Sequence, residues 1–538
     1  MEEEFARAAD ALAVAPLLNC LLREAAAPAA DPEGPGPAHR PGHDGRSGHG
    51  GQGRGSRAVY RLRAGGRLLR VRGGPRPADP ELWTDGVWQP LGHAGLVALA
   101  VAEMHASTGR PDPGVAAEMA ASRTAVAAAL AIRARTAPPA DLWLRSEQAL
   151  VMGHPFHPAP KACSGGPPAR WMRYAPEAYG TFPLVLLGVR EDAAVDAGDT
   201  RDLDGLGQAP PGYRLLPAHP WQYELSRGLP EVRRAFADGR LVRLGRTPWR
   251  AAATASVRTV HVPAGRGGPG PAEDLFLKFS LDVRITSAVR RMSGFELVHM
   301  RRVDPFVTAA FRAMGGPAAW LREPGHRTVA GLEETFPVLI REGLGRHLAP
   351  GTTAVLAGAL AEGFEGSPLD RVAAPLAWWR AYLRCLVPPV LDAYARYGVS
   401  VECHLQNTLV AVGADGMPVH GVFRDGEGAR VVPQVTREAA WQRLVYCLVV
   451  NNLSEIAGAL AERFPASAGA LWPAARAEFE RCARAHAGPA GGRPDGFPEL
   501  TALLAAPTVP GKANLLSRWF DPTGLAPRYL PYPNPLAV

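Results

Sequence analysis

A chain of 538 residues with 47% hydrophobic residues has the length for about three to four domain-sized units with real cores, which excludes a small disulfide scaffold. Its 59 glycines and 53 prolines stay below the level that marks a whole chain as low-complexity. The net charge of +8 comes from basic residues interspersed with acidic ones, and no basic run carries interleaved aromatics, so a nucleic-acid partner is not expected.

The six cysteines (Cys20, Cys163, Cys385, Cys403, Cys447, Cys482) are scattered without a C-x-x-C pair, which fits reduced thiols in a cytoplasm better than a zinc or iron–sulfur site. Glu2, Glu3 and Glu4 give the amino terminus the wrong charge for a signal peptide, and no apolar run is expected to reach the ~20 residues of a membrane span. A cytoplasmic protein without a membrane partner is the expectation. Only three lysines, Lys161, Lys278 and Lys512, stand against 56 arginines. A lysine kept under such a bias is a candidate for a place where a compact ammonium is needed.

Apolar spacing predicts an amphipathic helix over 6–26. Residues 27–56 lose that periodicity and read as a disordered insertion or linker. Alternating segments 58–63 and 67–72 around Gly65-Gly66 predict a β-hairpin, and the Ala-rich stretch 93–135 predicts helix. Strands mixed with Pro-rich loops are expected over 140–300, largely helix over 305–395, a β-hairpin over 396–430, then helices to about 488 before a Gly/Pro break. The class is α+β, in three parts: a mainly helical 1–140, then 141–300, then 301–538.

Within the middle part, Gly153-His154-Pro155-Phe156-His157-Pro158-Ala159-Pro160-Lys161 is stiffened by prolines that forbid helix. It would hold two imidazoles and an ammonium ready for a polyphosphate. A second His-Pro, His219-Pro220, is a weak signal alone. Residues 253–260 read as a strand with Ser256 and Arg258 on one face. In 277–285, Lys278, Ser280, Asp282 and Arg284 alternate with apolar residues, as on a half-buried strand. Thr286 and Ser287 then sit where a helix cap belongs, with Arg290 a turn further on, which gathers cations near a helix amino terminus as for an anion.

Glu402, His404 and Gln406 are expected on one strand face lining a cleft, with Asp425 level with Asn407 across the hairpin. A carboxylate and an amide oxygen suit Mg²⁺. Near the end, Gly511-Lys512 lacks the earlier glycine of a Walker A loop; a capped helix and a substrate contact both remain open there.

The blocks G-H-P-F-H-P-A-P-K, L-P-A-H-P-W-Q, S-V-R-T, L-K-F-S-L-D-V-R-I-T-S-A-V-R and E-C-H-L-Q-N followed by R-D-G-E-G, in this order, resemble the NRPS-independent siderophore (NIS) synthetases of the aerobactin-synthetase-like IucA/IucC family. L-L-N-C-L-L-R-E and K-A-N-L-L-S-R-W extend the resemblance to nearly the whole chain. It implies a hand-like fold of thumb, fingers and palm, the palm with a kinase-like hairpin region. It implies ATP-dependent condensation of a carboxylate with an amine or hydroxylamine through an acyl-adenylate.

Carried over by motif, Ser256, Arg258, Thr259 and Lys278 would hold ATP with His157 and Lys161. Thr286, Arg290, His404 and Gln406 would contact the carboxylate, and Glu402, Asn407 and Asp425 would face Mg²⁺ and nucleotide. His404, Arg290 and Lys278 are the catalytic candidates, although the group that takes the proton from the amine is not specified. Citrate is the first-choice substrate, a citryl or succinyl monoamide the second, and a homodimer is expected by resemblance. The competing readings are a kinase-like phosphotransferase, which would need a Gly-rich phosphate loop, and a non-enzymatic iron-siderophore handling protein, which the scattered cysteines disfavour.

Overall fold

The computed structural model describes residues 2–34, 57–74, 76–265, 271–286, 288–316, 318–432, 434–487, 496–521 and 528–538. The expected amino-terminal helix runs Glu2–Ala25 and packs on Val115–Arg133 and His93–Thr108. Beside it lies a five-stranded antiparallel meander, Ala26–Pro28, Arg57–Leu62, Leu68–Arg72, Ala78–Thr84 and Val87–Pro90. Leu17, Leu18 and Leu21 meet Leu69, Val71 and Leu96 in a core that also takes Leu515 and Trp519 from near the other end of the chain.

The expectation of disorder over 27–56 is corrected at its start. Ala26–Pro28 pairs with Arg57–Leu62, Asp31 accepts from Trp88 at 3.4 Å and Glu33 from Arg70 at 3.0 Å. Pro28 is tolerated because this is an edge strand. The rest of that call, 35–56, and the Gly/Pro break at 488–494 lie outside the described residues.

The middle of the chain builds a seven-stranded antiparallel sheet in the order Thr181–Phe182, Ala251–Ala253, Thr259–Val262, Leu275–Phe279, Val338–Glu342, Gly325–Val329, Ala194–Gly198. Leu275–Phe279 is buried on both faces, so Lys278 does not sit on a solvated strand face as alternation suggested. Two further corrections concern neighbouring turns. The strand expected over 253–260 breaks at 254–258, where Thr254 donates through Oγ1 to the Thr259 carbonyl at 2.7 Å and Val257 takes a positive φ of 57°.

The helix cap expected at 286–287 is instead a hairpin, Leu281–Ile285 with Ala288–Arg290; Ser287 lies outside the described residues. The helix starts only at Gly294, where Ser293 and Glu296 form a reciprocal capping box.

The stretch 305–395 is also less helical than expected. Strands Ala318–Trp320, Gly325–Val329, Val338–Glu342 and Thr353–Leu356 interrupt it, after Gly315 ends the first helix in the left-handed region. A second sheet has the order Ala318–Trp320, Pro418–Phe423, Thr408–Val412, Thr353–Leu356. It packs on the buried helix Pro375–Tyr397 and on helices 437–463 and Ala468–His486.

The expectation that no segment could span a membrane is corrected too: Glu3–Ala25, Val115–Arg133 and Arg437–Arg463 are long and apolar enough by composition. The first two pack on each other, and 83% of the third is buried within the molecule.

Candidate functional site

Where the two sheets meet, a cavity of about 1300 Å³ opens. His157, Lys161, Ser256, Arg258, Thr286, Arg290, Glu402, His404, Gln406, Asn407 and Asp425 all line it. Thr259 and Lys278 do not. Thr259 is 2% exposed and donates to the Ser256 hydroxyl at 3.3 Å, behind the turn.

Lys278 is 1% exposed and gives its ammonium to Asp425 Oδ1 at 2.7 Å and Glu427 Oε2 at 2.8 Å. Burial works against that ammonium, but Asp425 and Glu427 outweigh it and hold the pKa above the ordinary lysine value. Burial likewise opposes ionisation of the two carboxyls. The cations Lys278 and Arg341 overcome it at Asp425, and Lys278 and Arg258 at Glu427, so both stay ionised well below the usual carboxylate range.

Glu402, His404 and Gln406 reach the cavity by a different route from the one expected. Residues 401–407 are looped rather than extended, and the Asn407 N–H donates to the His404 carbonyl at 3.0 Å. The Gln406 amide donates to the Ala255 carbonyl at 2.7 Å, tying this loop to the 254–258 turn. The level pairing of Asn407 with Asp425 is corrected by one residue: Thr408 pairs with Phe423, and the Arg424 N–H donates to the Asn407 carbonyl at 3.1 Å, so Arg424 stands opposite Asn407 and Asp425 one position beyond.

Asp425 itself has φ 84°, a left-handed conformation that a non-glycine residue holds only when its surroundings impose it. Here Lys278, and Arg341 at 3.4 Å, impose it. Gly428 is required by close approach, because a Cβ there would lie 1.8 Å from Glu402 Oε2.

The two imidazoles of the Pro-rich loop are neutral hydrogen-bonding groups. Burial, with His404 and Lys512 nearby, lowers His154 to about 3, and burial with His154 and Lys512 lowers His157 well below its ordinary value. Each Nδ1 accepts a backbone N–H two residues on, at 3.0 Å.

His404 is also lowered by burial, partly offset by Glu402 and Asp425. Its Nδ1 accepts from the Gln406 N–H at 3.2 Å, which assigns the proton to Nε2, 4.0 Å from Glu402. Arg290 donates to the Ile285 carbonyl at 2.9 Å and to Thr286 Oγ1 at 2.7 Å; burial and then Arg258 bring it down to about 10. Lys161 pairs with Glu177 at 3.3 Å. His219 is structural: fully buried, it caps a short helix by accepting from the Trp221 N–H at 3.2 Å.

Several site residues were not singled out in the sequence. Glu427 lines the cavity and accepts from Arg258 at 2.6 Å. Arg424 and Glu147, both buried, form a bidentate pair at 2.6 and 3.1 Å whose Glu147 also accepts the Ala255 N–H at 3.0 Å. Glu427 and Arg424 fall in the R-D-G-E-G block, the signal that could have found them. Glu147 pairs across 277 positions and had none. Lys512 lines the cavity, and the helix Asn514–Phe520 that follows it has no side-chain cap.

Asp425 spends Oδ1 on Lys278 and Arg341, which leaves Oδ2 for a cation, and Asn407 lines the same cavity. One carboxylate oxygen and one amide oxygen fit Mg²⁺, which keeps water and substrate ligands. Glu402 fits less well, since it is committed to Arg443. No group of three or more His, Cys, Asp or Glu side chains able to hold a metal occurs among the described residues.

Residues 143–362 match the model of the IucA / IucC family, and 376–526 match that of the ferric iron reductase FhuF-like transporter. The four cysteines in the latter span, Cys385, Cys403, Cys447 and Cys482, are buried, and burial raises each thiol.

An L-2,3-diaminopropanoate–citrate ligase of Staphylococcus aureus is 29% identical over 453 residues, 74% of this chain and 75% of that protein. The rhizobactin siderophore biosynthesis protein RhbC of Rhizobium meliloti is 27% identical, covering 70% and 71%. The solved structure of ATP-bound aerobactin synthetase IucA from Klebsiella pneumoniae superposes with a TM-score of 0.77 at 21% identity, covering 98% and 99% of the two chains. The fold is that of the solved aerobactin synthetase structures. The chain is similar to the IucA/IucC family, whose model it matches over 143–362.

Proposed function

We propose that this protein is an ATP-dependent carboxylate–amine ligase of siderophore biosynthesis. It condenses a polycarboxylate, citrate first, with an amine through an acyl-adenylate and releases AMP and pyrophosphate. The observation that carries the reading is the single cavity in which the Ser256/Arg258 turn, the Thr286/Arg290 hairpin and the Asn407/Asp425/Glu427 end of the second hairpin converge. The L-2,3-diaminopropanoate–citrate ligase named above supports citrate as the acyl donor.

Attack of a carboxylate on the α-phosphorus brings two anions together, so fixed cations must face both. Arg290, locked by Thr286 and the Ile285 carbonyl, can orient a carboxylate. Arg258 and the Ser256 hydroxyl face the phosphates with Lys161, while Lys278 acts from behind by ordering Asp425 and Glu427. Mg²⁺, held by Asp425 and Asn407, supplies charge neutralisation when bound. Neutral His404 donates from Nε2 to a carboxylate oxygen, beside Gln406.

In this reading the mainly helical 1–140 is the thumb, 141–300 the fingers and 301–538 the palm with its kinase-like hairpin, in a cytoplasmic homodimer. Incubation with ATP, Mg²⁺, citrate and hydroxylamine, each omitted in turn, tests it. Citrate-dependent hydroxamate is expected, and its absence across a panel of di- and tricarboxylates contradicts the reading.

A further inference from the structure

One wall of the cavity is built by a helix that changes pitch. Residues Tyr446–Leu453 are π-helical, between the α-helices Arg437–Val445 and Ser454–Arg463. In an uninterrupted α-helix, residues nine positions apart lie on opposite faces. The wider π turns reset that phase, so that Tyr446, Asn451 and Glu455 all line the cavity.

Glu455 is 6% exposed, and its carboxylate accepts no hydrogen bond among the described residues. Its one charge contact is Arg76 Nε at 3.9 Å; Arg76 turns a terminal nitrogen to the Ala361 carbonyl and is shared with Glu462 at 3.8 Å. Arg23 also lies on this side, but its guanidinium is stacked between Phe156 and Tyr532 at 3.7 and 4.4 Å from the ring centroids and bonds neither acid. The Tyr446 hydroxyl is a second buried polar group here, set against the Asn451 amide.

A carboxylate buried without hydrogen bonds costs several kcal/mol in general, whereas other acids of this cavity are paired, Glu402 with Arg443, Asp425 and Glu427 with Lys278, and Glu177 with Lys161. Asn451 stands next to the loop that carries His404 and Gln406, accepting the Leu405 N–H at 3.2 Å. Glu455 lies about 5–6 Å further along the helix axis.

We propose that Glu455 is the specificity site for the amine substrate, and that it binds a second ammonium group a short spacer away from the attacking nitrogen. This rests on the ligase reading, and it narrows the nucleophile to diamines and diamino acids as against simple monoamines. Asn451 positions the site by holding the catalytic loop against the same helix.

The test is competition during citrate hydroxamate formation with hydroxylamine, using 1,3-diaminopropane and propylamine as the two competitors. The proposal expects the diamine to inhibit at about tenfold lower concentration, as a charge-assisted contact provides. It also expects Glu455→Gln to close most of that gap and Glu455→Asp to keep part of it, with thermal melting checking that each variant is folded. Equal potency of the two amines in the native protein, or a gap that survives Glu455→Gln, overturns the proposal. Failure to form hydroxamate at all instead removes the ligase reading on which it rests.

Discussion

Lys278 is one of three lysines in the chain and sits buried in the middle of a sheet, bonded to two carboxylates. Removing it strands Asp425 and Glu427, and breaking a buried pair in this way costs about 3–5 kcal/mol. Lys278→Ala is therefore expected to lower the urea midpoint strongly and to raise the KM for ATP, whereas a lysine that merely touched phosphate would change KM with little loss of stability.

The signs of the two shifts fix the pH window. Asp425 is depressed, so its contribution is present above the unfolded carboxylate value and lost as pH falls through the folded one. Lys278 is raised, so its contribution is present below the unfolded lysine value and lost as pH rises past the folded one. Between about pH 5 and 10 the pair contributes a constant amount.

Glu24 behaves oppositely. Burial raises its carboxyl to about 7, although the Leu515 and Leu516 N–H groups donate to it. Its contribution is complete below the unfolded carboxylate value and lost as pH rises through about 7. Urea midpoints at pH 5 and pH 8 should differ less in Glu24→Gln than in the native protein.

The site depends on how short elements end. The strand expected at 253–260 stops for the turn that presents Ser256 and Arg258, and the strand expected at 399–412 opens at 401–407 to present Glu402, His404 and Gln406. Periodicity identified the right residues for a shared cleft but the wrong backbone, because the Gln406 amide on Ala255 and the Glu147 bond to the Ala255 N–H come from far along the chain. The hairpin at 57–72 and the long helices were legible because their cues are local: a Gly-Gly turn and apolar spacing. The strands between 318 and 356 were not, since their burial comes from pairing with Ala194–Gly198, Leu275–Phe279 and the 408–423 hairpin.

Gly428 shows the same dependence at a single turn. Gly428→Ala forces a methyl against Glu402, and overpacking of this kind costs about 1–3 kcal/mol. The expected outcome is a lower melting temperature together with loss of ligase activity, measured on the same preparation.

At the scale of the molecule, the cavity is a meeting place of segments from nearly the whole chain. The Pro-rich loop at 153–161 is fastened to both ends of the chain, to Asn19, which donates to the Pro155 carbonyl at 2.9 Å, and to Asn514, which donates to the Phe156 carbonyl at 2.5 Å. That is how Lys161, Asn407, Asn451, Lys512 and Asn514, far apart in the chain, come to line one space.

The central claim is that the carboxylate attacks the α-phosphorus of ATP, and oxygen transfer tests it most directly. Citrate labelled with ¹⁸O in its carboxylates should yield AMP carrying one ¹⁸O, because the bridging oxygen of an acyl-adenylate leaves with phosphorus when the amine attacks the acyl carbon. Label in inorganic phosphate with ADP as the nucleotide product, or no label in AMP, would contradict the account.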